Sequence, residues 1–254
     1  MVLYSTLIVT GLLAALLVYR YDLYDREPWP MLLLAATAGF GVMWLLGDIE
    51  QWTIDLFRTA EWHNVVVSAV ASTHEEGARL LLVALIAWLI PRHFNDPMDG
   101  IIYGSIVGLG MAIEESMSYL QLWRTPLSAL PPATEFVRYA GHLVLGGITG
   151  FGVGMARMKM ARWPRVLAGC LAVSLTIHFL WDWLAFTAGP KGKMEWHQTL
   201  AAVGLMGFGL LFYGMLVVVG SDWSRRVFDP HSVRQLWGWP ITLLMTRKND
   251  PTGA

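Results

Sequence analysis

The sequence predicts an all-α fold, a polytopic membrane helix bundle of about seven transmembrane helices around an intramembrane polar cavity. Three observations lead there. Of the 254 residues, 55% are hydrophobic and only 15% charged, against roughly 25% charged in soluble domains; the mean hydropathy is +0.48. Seven apolar stretches have membrane-spanning length, with proline and tryptophan at their ends. Several of them carry carboxylates and imidazoles at depth, where charge is costly and marks function by default.

The expected segments are Leu3 to Tyr19, Trp29 to Leu46, Asn64 to Ile90, Ile101 to Leu122, Val137 to Ala156, Val166 to Thr187 and Leu200 to Gly220. A bilayer core takes about twenty apolar residues of helix, and the third segment is long enough to tilt. Pro28, Pro30, Pro91, Pro164 and Pro190 fall where helices start or stop at low cost. Trp29, Trp62, Trp123, Trp163 and Trp196 lie at the same ends, as interfacial anchors do. The first segment lacks the basic start of a cleaved leader and reads as a retained helix.

Basic residues set the orientation. Short loops and tail on the side of the first connection carry twelve, and the other side carries five: Arg58, Arg124, Arg138, Lys191 and Lys193. The multi-pass chain is therefore expected in the cell membrane with its N-terminus outside and its C-terminus in the cytoplasm. Residues 1–220 form the transmembrane domain, and 221–254 a cytoplasmic or membrane-surface tail in which Trp237-Gly238-Trp239-Pro240 and the apolar run after it could rest on the membrane. A net charge of -1 suggests neither a nucleic-acid partner nor anionic-surface binding, and the apolar runs make the lipid bilayer the expected surroundings. One cysteine, Cys170, excludes an intrachain disulfide. The oligomeric state is not readable. His93, Asn95, Asp96 and Asp99 read as a solvated turn, and the many glycines of the fourth and fifth segments as close helix packing.

The polar residues at depth lie on four segments: His74, Glu75, Glu76 and Arg79 on the third, Glu114, Glu115 and Tyr119 on the fourth, His142 on the fifth, His178 and Asp182 on the sixth. At about 1.5 Å of rise per residue, Glu75, Glu115, His142 and His178 lie roughly 16, 10, 8 and 13 Å from the outer ends of their helices. All fall in the outer half of the bilayer, and one shared wet cavity accounts for the agreement. His178 and Asp182, four apart, share a helix face, so the aspartate orients the imidazole or serves as a further ligand. Arg79 stands three and four residues after the glutamates and can neutralise one carboxylate while leaving the other reactive.

These residues resemble the motifs of the PrsW family of intramembrane proteases, within the wider group of CAAX-processing and bacteriocin-processing membrane proteases. Glu75-Glu76-Gly77-Ala78-Arg79 resembles its Glu-Glu-x-x-Lys, and Gly110-Met111-Ala112-Ile113-Glu114-Glu115-Ser116-Met117-Ser118-Tyr119 its second motif, which selects Glu115 over Glu114. His142 through Gly154 resembles the third, and His178 with Asp182 the fourth. Phe94 through Gly100 and Asp25-Arg26-Glu27-Pro28 are similar to family loops. Arg79 for lysine keeps the charge, whereas Ser116 stands where the family has asparagine.

The resulting expectation is an intramembrane endopeptidase, a metallo- or glutamic-type hydrolase that cuts a membrane-anchored protein near the outer face. Namesake members of the family cut an anti-sigma factor in this site-1 manner. Catalysis is expected from Glu75, Glu76, Glu115, His142, His178 and Asp182, with Arg79 and Tyr119 in support. In one chemistry His142, His178 and a carboxylate, Glu115 or Asp182, bind Zn²⁺ and one of the paired glutamates is the base. In the other no metal takes part and the glutamate activates water directly. An ion or proton transporter and a non-catalytic scaffold are the alternatives; a relay would have to continue into the inner half, where no such groups occur.

Overall fold

The computed structural model describes residues 2–188 and 194–231. They form α1 (Val2–Tyr21), α2 (Trp29–Leu56), α3 (His63–Leu89), α4 (Pro97–Leu122), α5 (Ala133–Arg157), α6 (Trp163–Phe186) and α7 (Trp196–Phe228), with no strand among the described residues. Four of the seven, α1, α2, α6 and α7, are long and apolar enough to cross a membrane. The other three are the ones that carry most of the polar groups singled out above, and their polarity is turned inward. The outside of the bundle is apolar: Leu12, Leu33, Trp44, Leu81, Trp88 and Leu211 are all exposed.

Starts of helices follow local chemistry. Proline occupies the first turn of α2, α4 and α6, where a missing N–H is harmless. Asp96 caps α4 by accepting the Asp99 N–H, and Asp99 returns the bond to the Asp96 N–H. Both carboxylates are buried, so the solvated turn expected here is a buried capping box instead.

Helix α4 runs through the middle and packs against α1, α2, α3, α5 and α7. Its closest approach is to α5. A methyl group on Gly104 would lie 2.1 Å from the Gly146 carbonyl oxygen, and one on Gly108 2.0 Å from that of His142. No side chain fits there, so these glycines bring two helix backbones into contact. Apolar side chains fill the remaining interior, with Ile102, Tyr103, Ile106 and Met111 of α4 among the most deeply buried.

Two helices outrun their expected ends. Helix α2 continues ten residues past Leu46 to Leu56, through Gly47 and the acidic stretch after it. Ala35, Gly39 and Met43 are buried before Leu46, and within the extension Glu50 alone is buried. Helix α7 continues past Gly220 to Phe228, where Asp222 pairs with Arg225 at 3.2 Å and Arg226 at 2.6 Å. The Trp237–Met245 stretch expected on the membrane surface lies outside the described residues.

At the end of the bundle where α1 meets α2, the loop 22–28 locks onto the start of α4. Asp22 accepts the N–H groups of Asp25 and Glu27, Asn95 donates to Asp25 at 2.8 Å, and the buried Tyr103 hydroxyl donates to Glu27. Burial pushes Asp22 and Glu27 up to about 7, with neighbouring carboxylates adding to it. A carboxyl group whose pKa is higher folded than unfolded holds its proton more tightly in the fold. Its contribution is therefore present at low pH and declines as pH rises from the ordinary carboxylate range to about 7. Hydrogen-exchange protection in 22–28 is expected to be greater at pH 5 than at pH 8. Asp22→Asn should flatten that dependence; equal protection at both pH values in the parent protein would refute the assignment.

Candidate active site

Four helices bring the predicted residues together. Side chains lean toward the N-terminus of their own helix. Helices α4 and α5 are antiparallel, so Glu115 and His142 lean toward each other, and Glu115 Oε2 comes to 2.9 Å from His142 Nε2. From α3, Glu75 Oε2 lies 3.8 Å from His142 Nε2 and 3.7 Å from His178 Nε2. The two imidazole rings stand edge to face, 5.7 Å apart. Glu75, His142 and His178 each offer a ligand atom within 4.8 Å of the others, a candidate metal-binding group.

The adjacent glutamates have different surroundings. Glu76 is fully engaged: Arg79 is ion-paired to Oε1, His178 Nδ1 is 2.9 Å from the same oxygen, and Thr149 Oγ1 is 3.4 Å from Oε2. Glu76 and Arg79 have no exposed surface. Glu75 Oε2, by contrast, is buried and has no hydrogen-bond partner among the described residues. Glu115 Oε2 has His142 Nε2 as a neighbour at 2.9 Å.

Hydrogen-bond partners assign the ring protons. Glu76 is an acceptor, so His178 Nδ1 carries hydrogen and Nε2 faces Glu75 and Asp182 Oδ2, the latter at 3.5 Å. Sequence spacing offered Asp182 as the group orienting His178; the structure puts Glu76 on Nδ1 and Asp182 on the reactive side of the ring. Arg79 Nη2 is 3.0 Å from His142 Nδ1. A guanidinium only donates, so Nδ1 accepts, and in the neutral ring the proton sits on Nε2, toward Glu75 and Glu115.

Several participants were not singled out in the sequence. Arg138, counted there as an outer loop charge, is inside α5. It lies 3.2 Å from Glu115, pairs with buried Glu135, and packs 4.5 Å above the Tyr119 ring. Its place four residues before His142 was the available signal. Thr149 and Ser174, 3.1 Å apart and both buried, back Glu76; Ser174 is four residues before His178. Glu50 of α2 is buried, with Oε1 unpartnered among the described residues. Glu114 accepts from Ser118 at 2.9 Å. Ser116 is buried with an unpartnered hydroxyl, and His74 is half-buried with Nδ1 likewise unpartnered, among the described residues.

The cluster opens on two sides. A pocket of about 100 Å³ reaches it beside α7, lined by Glu115, Arg138, His142, His178, Trp181 and Met206 among others. A wider groove of about 450 Å³ reaches Glu75, Glu115 and Asp182 between α2, α3, α4 and α6.

Carboxylates and imidazoles gathered inside an apolar multi-pass bundle are the equipment of a hydrolase that works within a membrane. A family model described as PrsW family intramembrane metalloprotease matches residues 27–219, and the chain belongs to that family of intramembrane proteases. It is similar to "Protease PrsW" of Bacillus subtilis (strain 168), 29% identical over 181 residues that cover 67% of this chain and 77% of the relative. The "Protease PrsW" of Geobacillus kaustophilus (strain HTA426) is 28% identical over 180 residues, covering 67% and 74%. No solved structure matches the chain.

Proposed function

We propose that this protease cuts a membrane-anchored protein near the outer face of the bilayer, and that the cut is made at Glu75. One observation carries the reading: Glu75 Oε2 is buried, has no hydrogen-bond partner among the described residues, and points between two imidazole Nε2 atoms at 3.7 and 3.8 Å. A carboxylate left unpaired in a buried site is costly; here it is placed for a water or an ion.

All seven helices span the membrane in this reading. At about 1.5 Å per residue the shorter polar helices α3, α4 and α5 are each roughly 38–40 Å long, enough to cross. Their charges face neighbouring helices, with Glu75, Glu76, Arg79 and His142 all buried. With Arg138 inside α5 the excess of basic residues becomes twelve to four, and it keeps the N-terminus outside, which puts the site in the outer half of the bilayer.

The carboxylate of Glu75 takes a proton from water as the water oxygen bonds to the scissile carbonyl carbon. The oxyanion formed accepts the His142 Nε2–H. The proton held by Glu75 then passes to the leaving nitrogen as the C–N bond breaks, giving a carboxylic acid and an amine. Glu76 acts through His178, fixing its tautomer, and Arg138 holds Glu115 beside His142.

The residues also fit a divalent ion. Two ligands at about 2.0 Å from Zn²⁺ in tetrahedral geometry stand about 3.3 Å apart, slightly closer than the Glu75 contacts to both imidazoles. Glu75, His142 and His178 would hold it, with Glu115 and Asp182 at the margin. Bound there, zinc would polarise the carbonyl and lower the pKa of water. Glu115, which with Asp182 was one of the two carboxylates offered by the sequence as third ligand, lies 2.9 Å from His142 Nε2 and 3.2 Å from Arg138. The metal-free reading has its own support, because Arg79 at Nδ1 leaves a proton on His142 Nε2 where a ligand needs a lone pair.

Purified protein in lipid nanodiscs is expected to cleave single-pass membrane peptides; bound zinc together with chelator-sensitive cleavage would assign the metal form, in which Glu75 is a ligand and not the base. Cleavage that persists in metal-stripped protein would transfer the mechanism to the metal-free form. Absence of cleavage with and without zinc would defeat the assignment of the cut to this cluster.

A further inference from the structure

The groove on the α2 side contains features that the chemistry above does not use. Its walls carry Asp48, Glu50, Glu75, Glu114, Glu115 and Asp182, and no lysine, arginine or histidine among the described residues. Four of these carboxylates already have occupations. Glu115 faces Arg138, Glu114 accepts from Ser118, Asp182 lies against His178, and Glu75 is at the reaction centre. Asp48 is exposed.

Glu50 remains. It is 8% exposed, and its Oε1 is shut off from solvent without a hydrogen-bond partner among the described residues. A buried, unpartnered carboxylate oxygen is among the more costly features a fold can carry. The last three turns of α2 are what hold it in the groove, about 9 Å before the helix end. The same groove has apolar walls from Trp44, Ile54 and Phe186. Apolar walls ending in a carboxylate suit a side chain with a long aliphatic stem and a cationic head, and an aromatic face adds cation–π attraction.

We infer that this groove is the subsite for a lysine or arginine of the membrane-anchored substrate close to the bond that is cut, with Glu50 as the anchor of its charge. The inference rests on the protease reading and names the substrate class: single-pass segments with a basic residue near the outer boundary of the membrane. Glu50 is a specificity residue here and takes no part in moving protons.

The test is equilibrium binding of fluorescent single-pass peptides to the full chain in nanodiscs. The peptides share one apolar segment, and each position of its outer third is occupied in turn by lysine, norleucine or glutamate. Lysine peptides at the favoured position should bind at least about 10-fold more tightly than norleucine peptides, the scale of a charge-assisted hydrogen bond. Glu50→Gln should erase that difference. Gly47→Trp is the second variant, because Gly47 lines the groove and a Cβ placed there would meet nothing within 4 Å, so the backbone leaves open space for a larger side chain. It should weaken lysine peptides toward the norleucine level even if Glu50→Gln does not fold.

Equal affinity for lysine and norleucine peptides, no binding of any peptide, or a lysine preference retained in either variant would overturn the subsite. Because binding needs no turnover, the two readings fail separately. Peptides bound with a Glu50-dependent lysine preference yet never cut would count against the protease chemistry, and peptides cut with no such preference would count against the subsite alone.

Discussion

Glu75→Gln is expected to lower kcat for peptide cleavage by about 10²- to 10⁴-fold, the range of a lost general base, with little change in thermal stability. Glutamine keeps the shape of the side chain and its contacts but has no carboxylate to take a proton or to hold an ion. Glu75 Oε2 makes no hydrogen bond among the described residues, so the substitution breaks none there. Substrate affinity should change less than kcat, because the loss falls on the transition state. Rates for parent and variant on one defined single-pass peptide, with unfolding midpoints in the same detergent, settle the matter. A variant that cuts at the parental rate would remove Glu75 from the mechanism, and one that unfolds would make the residue structural.

How much of this was legible in the sequence depends on the element. Polar residues in apolar segments announce themselves, so Glu75, Glu115, His142 and His178 stood out. Their common depth followed from counting residues along antiparallel helices. Which of the two adjacent glutamates is free did not follow, because that depends on what arrives from other helices. His178 Nδ1 and Thr149 reach Glu76 from α6 and α5, and no spacing on α3 reports them. The extension of α2 was hidden for a different reason. Gly47 and Asp48 are turn-forming residues, and a glycine inside a helix costs about 1 kcal/mol. The helix nevertheless runs on to Leu56 and carries Glu50 into the interior, and a tertiary placement of this kind is invisible to a hydropathy window. Arg138 was misplaced because a charge near a segment end reads as loop; its partner Glu115 is on another helix. Packing between α4 and α5 was easier, since glycines at every fourth position of α4 leave room only for a backbone.

Glu76→Gln should behave differently from its neighbour, and the contrast tests the division of labour. From the sequence either substitution is expected to abolish cleavage in a folded protein, one of the two more severely because Arg79 neutralises only part of the pair, but which one is not fixed. In the structure Glu76 is the counter-ion of Arg79, and neither has exposed surface. Removing one partner of a buried pair leaves the other charge uncompensated, at a cost of about 3–5 kcal/mol. Arg79 Nε already lacks a partner among the described residues, so the guanidinium has little else to turn to. Glu76→Gln is thus expected to lower the unfolding midpoint strongly, and Arg79→Met to do the same by stranding the carboxylate. Glu76→Gln combined with Arg79→Met should be less destabilised than the sum of the two, since no uncompensated charge remains. Thermal or denaturant unfolding of the four proteins in one detergent gives the cycle. If Glu76→Gln alone matches the parent in stability, the account of Glu76 as the counter-ion that Arg79 needs must be given up.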